Sequence, residues 1–311
     1  MRPERSTLGV KIIFMGTPDY ALAILNSIIK TDLMDVVAVY TQPDKPVGRK
    51  KVLTPPVVKT LALKNNITVY QPARLRDEDT VKKLLQIECD YIIVAAYGQI
   101  LPKEILNHAP CINLHASILP KLRGASPIQQ TLLNADSKTG VTAMLMDVGL
   151  DTGDILKIET IDVAEDEMLE SLFDKLTDVA ATLTIDVLEN FNSLSARKQD
   201  DSISTHCSKI IKADGEVSLD NSVDVFNKYR AFTPWPGIYL NSGLKLKHIS
   251  LENKDTKNEK AKILSIDKDS IIVGCELGRL RIYKVQPVSK KEMDVLSYIN
   301  GKRLSLEDIL S

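Results

Sequence analysis

Cys111–Gly124 reads CINLHASILPKLRG. A short apolar strand ends in an amide, Asn113, and an imidazole, His115, and runs into a loop punctuated by Pro120 and Gly124. Residues two apart on a strand project to the same face, so both polar groups are expected in one pocket. Ligands of open α/β sheets bind at the carboxyl ends of strands, which is where this pair falls. Taken alone, the pair also fits a turn cap that holds the loop. A further polar stretch downstream, Gly149-Leu150-Asp151-Thr152-Gly153-Asp154, favours the pocket.

Upstream, Val10–Met15 (VKIIFM) has the continuous apolar character of a buried parallel strand. It ends at Gly16-Thr17-Pro18-Asp19, where Thr17 is the expected N-cap and Pro18 the first helical position of a helix through Ile29. This turn is not GxGxxG, so the close glycine approach that a dinucleotide pyrophosphate needs is missing. Strands at Met34–Tyr40, Ile67–Tyr70 and Asp90–Ala96 alternate with helices at Pro55–Lys64 and Asp77–Ile87. Repeated βα units with short connections predict a Rossmann-like, doubly wound, mostly parallel α/β sheet.

Downstream, Ser126 should cap a helix to Ala135, and Val141–Val148 with Ile155–Val163 should form a hairpin. Glu165–Asn192 reads as the longest helix, with Leu169, Leu172, Phe173, Leu176, Val179, Leu183 and Val187 on one core-packing stripe. Polar Asn192–Ser204 closes the first domain. After a helix at Val223–Ala231, five short strands between Ile238 and Val285 suggest a small barrel or sandwich. The expected organisation is a disordered extension over 1–9, a catalytic domain over 10–205, a linker over 206–216 and a small domain over 217–311. Trp235, between two prolines, is expected to pack at the start of that domain.

The net charge of −1 excludes a basic coat for nucleic acid. Charge is uneven, however: 206–311 carries 18 Lys/Arg against 14 Asp/Glu, and the first 205 residues 22 against 27. Four scattered cysteines give neither a zinc spacing nor a disulfide framework, which points to reduced thiols and a cytoplasmic protein. No apolar run is long enough to span a bilayer. TQPDKPVGRKKVLTPP, with Lys45, Arg49, Lys50 and Lys51, reads as a long loop, either simply solvated or a mobile basic arm for phosphate.

Amide, imidazole and carboxylate together suit attack by a neutral amine on a carbonyl carbon. The Asn113 N–H stabilises the developing oxyanion, and the histidine and an aspartate of the DTGD loop handle the proton. No Ser or Cys occupies a nucleophile elbow, which favours direct transfer over an acyl-enzyme.

VKIIFMGTPDYA, TQPDKPVGRKK, AAYGQILP, INLHASILPKLRGASPIQ, MDVGLDTGD and AFTPWPG together resemble the methionyl-tRNA formyltransferase family, within the wider family that uses 10-formyltetrahydrofolate. The resemblance implies that Asn113, His115 and Asp151 form the catalytic trio, with Asp154 only a turn residue. It implies that Ser117, Ile118, Leu119 and Pro120 bind folate, and that Tyr97, Gly98, Gln99, Ile100 and Leu101 line the pterin pocket. It implies that Arg49, with Lys45, Lys50 and Lys51, meets the acceptor end of initiator tRNA, that Lys209 and Lys212 are phosphate contacts, and that the small domain is an OB-like barrel. The implied substrates are 10-formyltetrahydrofolate and methionyl-initiator tRNA, with no metal and no membrane, and the protein is expected to be a monomer. Three departures from the family pattern are Ala116 for glycine, Lys121-Leu122 for an Arg-aromatic pair, and GRKK with one glycine fewer. Two other readings stay open on the residues: formyl transfer to a small amine, and tRNA binding without catalysis.

Overall fold

The computed structural model describes residues 9–48 and 50–310. The extension expected over 1–9 falls, up to residue 8, outside the described residues, as does Arg49. The described residues form two compact units: 9–124, 138–162 and 173–206 in the first, and 125–137, 163–172 and 207–310 in the second.

The first unit is built on a seven-stranded sheet. From one edge to the other its strands are Ile155–Asp162, Lys138–Leu145, Cys111–His115, Tyr91–Ala95, Val10–Gly16, Met34–Tyr40 and Val69–Tyr70. The last five pair in parallel; Lys138–Leu145 runs antiparallel to them, and Ile155–Asp162, antiparallel to Lys138–Leu145, runs in their direction again. Val10–Gly16 lies between Met34–Tyr40 and Tyr91–Ala95, so the winding reverses beside it and a crevice opens at the carboxyl ends. A Cβ at Gly16 would sit 2.8 Å from the Ala95 carbonyl oxygen and 2.5 Å from Ala21 Cβ. Glycine alone lets this strand end meet its neighbour and the following helix so closely.

Ile12, Ile13, Phe14, Ile92 and Ile93 are fully buried, as the uninterrupted apolar runs require. The helix Leu169–Asn190 buries Leu176, Ala180, Leu183 and Val187 from its portion in this unit. Thr17 does not cap the first helix. That helix begins at Asp19 with Pro18 as N-cap, while Thr17 Oγ1 accepts the Gln42 N–H at 3.3 Å and lies 3.5 Å from the Tyr97 carbonyl oxygen. The crevice, not the helix end, uses this hydroxyl. The basic stretch expected as a loop contains a hairpin, Lys45–Val47 against Val52–Thr54, favoured by its β-branched and leucine residues.

The second unit is a small, barrel-like antiparallel domain. Its strands follow the order Ile238–Tyr239, Lys245–Lys257, Leu277–Gln286, Ile271–Gly274, Ile263–Ile266, with Met293–Asp294 also on Leu277–Gln286. The closing helix Val295–Lys302 was not expected from the sequence; it is only eight residues long and buries Val295, Tyr298 and Ile299. Ser126 stands at the N-cap of Pro127–Leu133 as expected, with Pro127 in the first turn, but its hydroxyl donates to the Ser208 carbonyl and makes no capping bond to the helix. Trp235 is not packed as expected: it is 58% exposed. Among the described residues, no helix is long and apolar enough to cross a membrane.

Arg230, on the helix Ser222–Phe232, is buried and binds three parts of this unit. Its guanidinium donates to Asn227 Oδ1 at 2.6 Å, to the Leu132 carbonyl at 3.2 Å and to the Glu167 carbonyl at 3.4 Å. Burial pushes it below its ordinary pKa, opposed by Asp166, Glu165 and Glu167. Arg230→Met should therefore leave buried oxygens without donors and destabilise the second unit by about 3 kcal/mol. A lower urea midpoint for its unfolding is the expected result, and an unchanged midpoint contradicts it.

Candidate active site

Asn113 and His115 lie on Cys111–His115, and both belong to the first unit together with Asp151. His115 is buried, and each of its ring nitrogens has a neighbour. Nε2 is 2.9 Å from the Leu122 carbonyl oxygen. A carbonyl only accepts, so Nε2 carries the proton. Nδ1 is 3.7 Å from Asp151 Oδ2, with side-chain exposures of 7% and 12%. A neutral ring in this tautomer turns a lone pair toward the carboxylate, whereas an imidazolium turns a donor toward it. The same Oδ2 accepts the Gly124 N–H at 2.8 Å. Asn113 is half-buried, and its carboxamide has no hydrogen bond among the described residues, so its N–H groups remain available.

The loop carrying Asp151 is tightly folded. Asp147 Oδ1 accepts the Gly149 N–H at 2.9 Å and the Thr152 hydroxyl at 2.6 Å. Asp151 itself has φ +55°, the left-handed region. A Cβ at Gly153 would fall 1.6 Å from the Leu145 carbonyl oxygen, so this close return of the chain needs glycine. Asp154 serves the turn, its carbonyl accepting the Leu145 N–H at 2.8 Å.

Ser117–Pro120 forms a turn against the Lys138–Leu145 strand. Thr142 Oγ1 donates to the Ser117 carbonyl at 2.6 Å and accepts the Leu119 N–H at 3.1 Å. The Ser117 hydroxyl is buried and donates to the Lys121 carbonyl at 2.7 Å, leaving backbone and apolar groups of this segment to meet a ligand. In the next crevice segment, the Tyr97 carbonyl accepts Gln42 Nε2 at 3.0 Å and its ring is buried. Gln99 turns inward, accepting the Leu75 N–H at 2.6 Å and donating to the Pro72 carbonyl at 3.1 Å. Gly98 sits at φ +78°, Leu101 is buried and Ile100 is 85% exposed.

Every described residue from Lys45 to Pro55 is exposed, including Lys45, Lys50 and Lys51. The base of this hairpin is anchored, with Asp44 accepting from Lys59 Nζ at 2.9 Å and Gln71 Nε2 at 2.7 Å. Lys59 first, then Gln71, holds the Asp44 carboxyl below its usual range. Lys209 and Lys212 are exposed on the second unit.

Leu122 and Gly124 act here through backbone groups, which side-chain reading passes over although both lie in the quoted stretch. Cys111, the nearest thiol along the strand, is no nucleophile: burial pushes it up to about 12. Among the described residues, no group of three or more His, Cys, Asp or Glu is placed to hold a metal ion.

Residues 10–188 match the formyl transferase model and residues 209–303 the formyl transferase C-terminal domain. Methionyl-tRNA formyltransferase of Sulfurimonas denitrificans is 67% identical over 97% of this chain and 100% of its own length. That of Nitratiruptor sp. is 51% identical over 96% and 99%. Among solved structures, the N-formyltransferase of Helicobacter canadensis, in complex with folinic acid and dTDP-3-aminofucose, shares the fold. Its TM-score is 0.67 at 18% identity, over 88% of this chain and 99% of that one. The chain belongs to the formyl transferase family, among the methionyl-tRNA formyltransferases.

Proposed function

We propose that this chain transfers the formyl group of 10-formyltetrahydrofolate to the α-amino group of methionyl-initiator tRNA. The observation that carries the chemistry is the unengaged Asn113 carboxamide two residues from an imidazole set between a carbonyl and a carboxylate. The relatives carry the choice of acceptor. The neutral amine attacks the formyl carbon, the bond from that carbon to the folate nitrogen breaks, and the proton lost by the amine passes to that nitrogen.

In this reading Asn113 donates N–H to the formyl oxygen as negative charge grows there. His115 holds the travelling proton at Nδ1, since Nε2 already donates to Leu122, and Asp151 then pairs with the imidazolium. Both groups are buried, which strengthens that pairing relative to water. Burial disfavours the thiolate of Cys111, on the same strand as His115, which supports direct transfer without an acyl-enzyme. Ser117–Pro120 and Tyr97–Leu101 bind the folate, the latter around the pterin. Here the turn held by Thr142 and the outward Ile100 give shape and apolar surface, with hydrogen bonds left to the backbone.

Lys45, Arg49, Lys50 and Lys51 take the acceptor end of the tRNA, and Lys209 contacts a phosphate. The exposure of the hairpin's described residues supports this, because cations already engaged in packing cannot neutralise phosphates. The catalytic domain spans 10–205, followed by a linker over 206–216 and a tRNA-binding OB-like domain over 217–311. The protein acts in the cytoplasm as a monomer.

Asn113→Ala and His115→Ala should each lower kcat by roughly 10²- to 10³-fold. Binding of 10-formyltetrahydrofolate, read by titration calorimetry, should change little; near-normal turnover in either variant rejects the assigned roles. Formyl transfer measured beside charged elongator tRNA and free methionine should favour charged initiator tRNA. Equal rates on all three acceptors would sink the tRNA assignment. Lys50→Ala with Lys51→Ala should raise KM for the tRNA and flatten its dependence on salt by about one unit of log–log slope per lost phosphate contact. An unchanged slope places those cations away from the tRNA.

A further inference from the structure

We propose that Gln199 is a positioning residue for the transfer, at the centre of a strap over 197–205 that fixes both Asp151 and the backbone partner of His115. The proposal rests on the catalytic reading of Asn113, His115 and Asp151 given above. The strap lies between the two regions matched by the family models and within the first unit.

The carboxamide of Gln199 uses both ends. Its Nε2 donates to the Asp151 carbonyl at 2.8 Å and to the Gly153 carbonyl at 2.7 Å, bridging the loop that presents the carboxylate. Its Oε1 accepts from Arg123 Nε at 3.1 Å and Nη2 at 2.9 Å. Arg123 precedes Gly124, whose N–H holds Asp151 Oδ2. One amide thus ties together the loop that carries the carboxylate and the chain that grips it. Asp201 completes the set, accepting from the buried Arg123 Nη2 at 2.7 Å.

The rest of the strap secures the histidine side. Thr205 Oγ1 accepts the Leu122 N–H at 2.9 Å, and the Thr205 carbonyl accepts the Arg123 N–H at 2.9 Å. Leu122 is the residue whose carbonyl receives Nε2 of His115, and it sits at φ +59°. At the other end, Arg197 and Ile155 exchange backbone hydrogen bonds at 2.8 and 2.9 Å. Two non-glycine residues in the left-handed region, Leu122 and Asp151, need outside contacts to hold that conformation. The strap supplies them to both.

Reacting groups displaced by about 1 Å lose on the order of 10²-fold in rate, so slackening the strap should act on kcat. Gln199→Leu is expected to lower kcat roughly 10- to 100-fold, with KM for both substrates within about threefold of the parent. Against an Asp151→Asn background the same change should cost less than about threefold, because the group it positions is already gone. Equal loss in both backgrounds, or an unchanged kcat, overturns the proposal. Gln199→Glu keeps the size and the Arg123 contact but sets a carboxylate oxygen against two carbonyls. It should show the same loss, and normal turnover in it also overturns the proposal.

Amide hydrogen exchange separates this from the reading beneath it. The Gly124 N–H should exchange at least about tenfold faster in Gln199→Leu than in the parent. Unchanged protection refutes the strap. Full activity of Asp151→Asn, with Gly124 exchange still quickened by Gln199→Leu, refutes the catalytic reading and leaves the strap standing.

Discussion

The geometry of the site depends on one constraint: the Leu122 carbonyl takes Nε2 of His115, so the ring has only Nδ1 left to change its protonation. That nitrogen faces Asp151 Oδ2 at 3.7 Å, longer than a hydrogen bond. A proton arriving at Nδ1 turns the contact from repulsive to attractive. The carboxylate cannot swing away, because the Gly124 N–H holds the same oxygen. On the proposed reading the pair favours a charge that arises at Nδ1 as the amine attacks, which is the condition for stabilising a transition state more than the ground state. Asn113 differs in kind. Its amide is unengaged among the described residues, so on the proposed reading it can follow the formyl oxygen without breaking an existing bond.

The basic hairpin shows the opposite arrangement. A two-stranded hairpin is marginal by itself, and no described residue of Lys45–Pro55 is buried to support it. Its base, by contrast, is pinned at Asp44 by Lys59 and Gln71. On the proposed reading, a pinned base and a hairpin with no buried described residue suit a cationic element that conforms to a polyanion instead of presenting a rigid template. Exposed Val47, Val52 and Leu53 lie on the same hairpin, so its surface offers apolar as well as charged groups.

The sheet was legible because its strands are continuous apolar runs. Met34–Tyr40 matches residue for residue, the strand at Val10 runs one residue further, and the strand at Tyr91 is one residue shorter at each end than expected. The Asn113–His115 pair was legible from a period of two. Capping bonds were not. Thr17 and Ser126 have the right chemistry for helix starts, yet distant acceptors and donors claim their hydroxyls. The closing helix escaped because eight residues with three inward apolar side chains leave too little periodicity to detect. Gln199 was hidden by its surroundings: in a polar segment at a domain end, nothing local distinguishes a glutamine that binds two carbonyls and an arginine from one that meets water.

The departures from the family pattern bear on this last point. Leu122, one of the departures named above, meets His115 through its carbonyl, not its side chain. What the position demands is a backbone at φ +59°, a buried side chain and an N–H anchored by Thr205. Leucine meets the burial requirement, and the strap supports the left-handed backbone that leucine does not favour on its own. Ala116 is similarly buried, on the turn that leads from His115 into the segment held by Thr142. Substitutions at such positions are tolerated to the extent that distant hydrogen bonds dictate the backbone. The identity of the side chain matters less there than the integrity of the contacts from Thr142, Gln199 and Thr205.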